Sequence, residues 1–178
     1  MDEARSGASR EAGPHDMLVR LYDLPEPASR VDALRRIGIE VRRALAPEKH
    51  VVVSWVGDTF GEGWASECAV SFGRLPISCF RAQRRQELLG FACYDATAKA
   101  FFGPTGVLER ERKQGIGTAL LLVTLHAMAG EGYAYAIIGG AGPEDFYAKA
   151  VGAVSIAGST PGIYAHLLRG AGAPGRKG

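Results

Sequence analysis

Apolar and polar positions partly alternate along MLVRLYDL, residues 17 to 24, and the run is rich in strand-forming types. A first strand is expected there, ended by Pro25 and Pro27. Over residues 29 to 45 the apolar positions Val31, Leu34, Ile37, Val41, Ala44 and Leu45 recur at helical spacing. A helix is expected, with Arg30, Arg35, Arg36, Arg42 and Arg43 on its solvated faces. Residues 50 to 73 are ambiguous. HVVVSWV has strand composition, yet Val52, Trp55, Val56, Phe60, Trp64 and Cys68 fall at three- and four-residue steps. One or two short helices with a glycine break fit best. Three short β-rich runs follow, at 77 to 83, 87 to 95 and 99 to 108. A long apolar helix is expected over about 115 to 130, then the doubly apolar strand YAYAIIGG at 133 to 140. A helix at 143 to 151 starts at Pro143. Strands at 153 to 156 and 162 to 168 complete the pattern. The fold class is a mixed α/β sheet, antiparallel in its first half, with one right-handed parallel β-α-β step.

Composition narrows the function classes. The 178 residues, 47% hydrophobic and 22% charged, describe one soluble globular domain. Residues 16 to 169 are read as that domain, with disordered segments at 1 to 15 and 170 to 178. A net charge of +2, with scattered Arg and Lys, does not point to nucleic acid. No apolar run reaches membrane-spanning length, and the N-terminus lacks an apolar signal core, so a cytoplasmic protein is expected. Cys68, Cys79 and Cys93 lack CxxC spacing. They are read as separate reduced thiols, with no disulfide scaffold and no metal.

The chemistry concentrates at one joint. Arg112-Lys113-Gln114-Gly115-Ile116-Gly117 follows a strand and opens a helix. A helix N-terminus offers unpaired N–H groups and a positive dipole end, which suits phosphate. A P-loop is excluded because Thr118, not lysine, follows Gly117. A dinucleotide fingerprint is excluded because Leu120 stands at its third glycine.

The hexapeptide matches R-x-x-G-x-G and resembles the acetyl-CoA-binding motif of the GNAT superfamily of N-acetyltransferases. The resemblance extends over about residues 87 to 157, through the FYAKAVGA block with Phe146, Tyr147, Gly152 and Ala153. It implies a GNAT-like sheet flanked by helices and acetyl-CoA as cosubstrate. Glycines 115 and 117 would let the backbone approach a pyrophosphate. The N–H groups from Gln114 through Gly115, Ile116 and Gly117 to Thr118 would cradle it, with charge from Arg112 and Lys113. Gly103-Pro104 marks a bulge in the preceding strand. By the resemblance, Thr105, Gly106 and Val107 would pair with the pantetheine arm, and the Val107 N–H would polarise the thioester. Tyr147 stands where the family places a general acid.

The base stays open between Glu67, Asp95 and a water chain. Trp64 and Tyr164 could line an acceptor pocket, and His126 is read as structural. The acceptor is a small-molecule or peptide amine, and a homodimer is left open. A non-catalytic acyl-CoA-binding module on the same fold is the alternative.

Overall fold

The computed structural model describes residues 13–168. Its elements run β1 (Met17–Arg20), α1 (Ala28–Arg36), β2 (Ile39–Arg43), α2 (Lys49–Phe60), α3 (Glu62–Ser71), β3 (Cys79–Arg84), β4 (Glu87–Tyr94), β5 (Phe101–Val107), α4 (Ile116–Gly130), β6 (Tyr135–Ile138), α5 (Glu144–Val151) and β7 (Val154–Ser155). The strands form one open sheet in the order β2-β3-β4-β5-β6-β1-β7. The neighbours β2 to β5 are antiparallel, and β5 and β6 are parallel across α4.

Alternation along the strands splits the interior into two cores. Phe80, Ala82, Ala92 and Phe102 pack with Leu34 of α1, with α4 and with Tyr147 and Val151 of α5. Cys79, Phe91 and Cys93 face the other way, onto Val52, Val56, Ala65 and Cys68 of α2 and α3. Helix α4 anchors the first core with seven buried apolar residues, Leu120, Leu121, Leu122 and Leu125 among them. Each such leucine contributes about 1.5–3 kcal/mol of hydrophobic stabilisation.

Two expected elements are corrected. The single helix over 29 to 45 is α1 followed by strand β2. Gly38 takes a left-handed conformation (φ 78°), and the N–H groups of Ile37 and Gly38 close on Leu34 and Arg35 carbonyls. That ends the helix and turns the chain back. Ile39 and Val41 then alternate with polar residues against β3, so tertiary pairing overrides the helical spacing. The expected strand at 162 to 168 is a short 3-10 turn, Gly162–Tyr164, followed by irregular chain. The Tyr164 and Ala165 N–H groups close on the Pro161 and Gly162 carbonyls, which turns the chain instead of extending it. Beside β6 lies β1, which pairs Met17 with Ile138 and Val19 with Ala136. The break expected within 50 to 73 falls at Gly61 (φ 103°), between α2 and α3. Residues 1–12 and 169–178, which hold most of the expected leader and tail, lie outside the described residues.

A polar clamp fixes the start of α2 to the sheet. Glu48 accepts hydrogen bonds from Arg81 (2.7 and 3.0 Å), Arg42 (2.8 Å) and the Leu45 N–H (2.7 Å). Burial works to raise its carboxyl, but the bonds from Arg81, Leu45 and Arg42 outweigh it and hold the pKa at about 2. The folded value lies below the unfolded one, so the stabilisation is present above the unfolded pKa and is lost as pH falls. It amounts to at most about 3 kcal/mol. Wild-type stability should therefore fall between about pH 5 and pH 2, and Glu48→Gln should flatten that limb, read by urea unfolding across the range.

Candidate active site

The parting of β5 from β6 creates the site. The two strands pair only at Phe101 with Ile137 and Phe102 with Ile138. On its other side β5 pairs Phe102 with Tyr94 and then Thr105 with Ala92. Three steps on β5 thus match two on β4, which places the expected bulge at Gly103-Pro104. Beyond it β5 stays with β4 and leaves β6.

Alternation decides which backbone groups face the gap. The Leu108 N–H bonds the Leu89 carbonyl, so that pair is a hydrogen-bonded one. Gly106, opposite Phe91, then also directs its polar groups to β4, while Thr105 and Val107 direct theirs away from it. The pairings leave these groups no β6 partner. Gly106, expected to meet the cofactor through its backbone, has another part. A Cβ there would come within 2.6 Å of the Phe60 ring, so glycine lets α2 close onto β5.

The glycine joint follows the gap. Gly115 is left-handed (φ 89°) and stands just before α4; the Ala119 N–H bonds its carbonyl as the first helical bond. Among the described residues, the N–H groups of Gly115, Ile116, Gly117 and Thr118 have no protein partner. A side chain on Gly117 would lie 3.7 Å from Val107, so the joint and the strand end are neighbours. The Arg112 Nε donates to the Val107 carbonyl (3.4 Å), which puts its guanidinium at the same mouth. Lys113 is exposed in a left-handed conformation (φ 66°).

Residues outside the motif hold this loop. Arg84 donates twice to the Glu111 carboxylate (3.2 and 3.1 Å), and the Gln114 side chain donates to it as well (2.8 Å). The bonds from Arg84 and Gln114 hold the buried Glu111 below its ordinary pKa. Sequence reading gave Gln114 only a backbone role and passed over Glu111 and Arg84. An acidic residue three before Gln114 was the one local signal.

Tyr147 sits across the opening on α5. Its ring packs on Phe102 (6.4 Å between centroids) and Phe146 (5.1 Å). Gly152, left-handed at the helix end, returns the chain so that the Ala153 N–H reaches the Tyr147 carbonyl. Its hydroxyl has no hydrogen-bond partner among the described residues, and burial pushes its pKa up to about 12.

The opposite face carries a second group. Thr97 donates to the Glu67 carboxylate. Tyr164 lies over Gly139 and beside Phe101, where even a Cβ on Gly139 would collide with its hydroxyl. Burial first, then the charges of Glu67 and Asp16, push Tyr164 up to about 12. Trp64 stacks on Phe60 (5.4 Å), and both touch Phe91. Asp95 is no base candidate. It is almost fully buried and accepts from Arg74 (2.6 Å), Tyr133 (2.8 Å) and the Ala100 N–H (2.8 Å). His126 bonds the Pro25 carbonyl (3.0 Å), as a structural residue would.

In comparisons with known proteins, no family model and no curated sequence matches this chain. Solved structures do. One is a GCN5-related glucosamine N-acetyltransferase region of a fungal multi-domain GH3 β-N-acetylglucosaminidase, with TM-score 0.66 and 14% identity, covering 83% of this chain and 20% of that one. A GCN5-related N-acetyltransferase from Sphaerobacter thermophilus gives 0.58 and 18%, covering 82% and 50%. One from Kribbella flavida gives 0.54 and 20%, covering 82% and 55%. This chain therefore spans from a fifth to about half of those proteins' length. The open seven-stranded sheet with its parted parallel pair is the GCN5-related N-acetyltransferase fold, as the resemblance implied.

The contact of Phe60 with Gly106 makes a direct test. Gly106→Ala should cost about 1–3 kcal/mol through overpacking. Adding Phe60→Ala should cost less than the two single changes together, read as a double-mutant cycle in urea unfolding.

Proposed function

We propose that the chain transfers an acetyl group from acetyl-CoA to a primary amine by direct attack. The observation that carries this reading is a strand with two backbone N–H groups, of Thr105 and Val107, left without a strand partner, running into a helix N-terminus opened by glycine. The pyrophosphate suits the N–H groups of Gly115 to Thr118, with Arg112 and Lys113 adding charge. The pantetheine amides suit the β5 edge as an added strand would. Because Arg112 occupies the Val107 carbonyl, Val107 belongs to the phosphate end of the slot. The Thr105 N–H, nearer the bulge and the Tyr147–Phe102 contact, then takes the oxyanion role first expected of Val107.

The amine lone pair forms the bond to the thioester carbon while negative charge gathers on the carbonyl oxygen. As that charge collapses, the carbon–sulfur bond breaks. Tyr147, protonated throughout the neutral range, gives its proton to the departing thiolate and regains one from solvent. Glu67 accepts the proton released by the new amide nitrogen and passes it to solvent. The acceptor is a small molecule or peptide whose amine meets the Glu67 carboxylate and whose apolar part rests on Phe60 and Trp64.

Thiol release from acetyl-CoA across an amine panel tests the reaction. Tyr147→Phe should lower kcat by about 10²–10⁴-fold with acetyl-CoA affinity unchanged. In the wild type, no loss of rate attributable to Tyr147 should occur between pH 8 and 10, since its pKa is about 12. Binding of acetyl-CoA without thiol release for any amine would contradict the reading. Arg112→Ala should weaken acetyl-CoA binding by about tenfold or more, read by calorimetry.

A further inference from the structure

The fold gathers all three cysteines of the chain at one point. Cys68 comes from α3, Cys79 from β3 and Cys93 from β4, each with no exposed surface. Their three sulfur atoms lie within 4.8 Å of one another. Cys79 and Cys93 stand directly opposite each other. The Tyr94 N–H bonds the Ser78 carbonyl, so the adjacent Cys79–Cys93 pair is a non-hydrogen-bonded one, where side chains approach closest. Cys68 closes the triangle from above. Ser71, one turn further along α3, donates to the Cys68 carbonyl (2.6 Å) and lies 3.6 Å from the Cys93 sulfur. Sequence spacing separates these residues, and only the crossing of α3 over β3 and β4 makes them a set.

We propose that Cys68, Cys79 and Cys93 form a three-sulfur site for a soft monovalent cation, Cu(I) being the biological case. The donor set is sulfur alone, with no imidazole or carboxylate in the group, and thiolates select soft ions. Even at that outer limit, an equilateral triangle with 4.8 Å sides puts an ion at its centre about 2.8 Å from each sulfur, the side divided by √3. Metal–thiolate bonds run at about 2.3 Å. Side-chain adjustments of about half an ångström close the site. Zinc is disfavoured because a structural zinc takes four ligands, and among the described residues the group holds three cysteines and no fourth histidine, cysteine or carboxylate.

The ligand form of cysteine is the thiolate. When Cu(I) binds, the three thiol S–H bonds break, three protons leave to solvent and three copper–sulfur bonds form. Nothing is oxidised or reduced, and the bonds to copper must offset the cost of a net charge in a dry core. The bound ion ties α3 to β3 and β4. Since Glu67 neighbours Cys68 on α3, the clamp sits beside the acceptor side of the candidate active site, yet its existence does not depend on the reaction proposed there.

The test uses the full chain, reduced and kept anaerobic, titrated with Cu(I) against a colorimetric Cu(I) chelator. One Cu(I) per chain and a raised Tm are expected, with Ag(I) behaving alike and Cys79→Ser losing both effects. Serine in this core costs stability, so a second readout uses the wild type alone. X-ray absorption at the copper edge should find three sulfur neighbours. No retained Cu(I), preferential retention of Zn(II), nitrogen or oxygen neighbours, or a disulfide among these cysteines in the freshly purified protein would each overturn the proposal.

Discussion

Strand β5 has partners on both sides for two residues and on one side thereafter. Everything that gives this fold a site depends on that loss. Backbone N–H and C=O groups need partners, and a strand inside a seven-stranded sheet normally finds them in its neighbours. The bulge at Gly103-Pro104 and the early end of β6 at Ile138 deny them to Thr105 and Val107. The rest of the molecule holds this arrangement open. Helix α4 is fixed by its buried leucines, so its N-terminus stays at the mouth of the gap. The Arg84–Glu111–Gln114 network fixes the loop that leads into it.

The two faces of the sheet divide the work. On the α4 and α5 face lie the phosphate-type joint and Tyr147, whose hydroxyl is free of protein partners among the described residues and whose proton is firmly held. On the α2 and α3 face lie the aromatic group and the Glu67–Thr97 pair beside Tyr164. Under the proposed reaction, an acyl donor on one side and an amine on the other meet at the gap. Gly106 is the hinge of this division, since its missing side chain lets Phe60 reach the strand.

Much of this was legible in the chain because it is local. The R-x-x-G-x-G run carries its own left-handed glycine, and Gly103-Pro104 announces a bulge by removing a ladder donor. The FYAKAVGA block carries its own helix and its Gly152 cap. What failed was non-local. Val41 fits a helical stripe after Leu34 and Ile37 and also a strand with Ile39, and only pairing with β3 decides. The chain ends could not reveal that β1 fills the position beside β6. The Phe60–Gly106 contact and the meeting of three cysteines join residues far apart in sequence, and composition carries no sign of either.

Hydrogen exchange of the individual backbone amides, with and without acetyl-CoA, tests the central claim most directly. If the unpaired edge of β5 and the start of α4 form one slot, acetyl-CoA should slow exchange at Thr105 and Val107 together with Gly115 to Thr118. It should leave Gly106, already paired to β4, nearly unchanged. Unaltered exchange at Thr105 and Val107 under saturating acetyl-CoA would contradict the account.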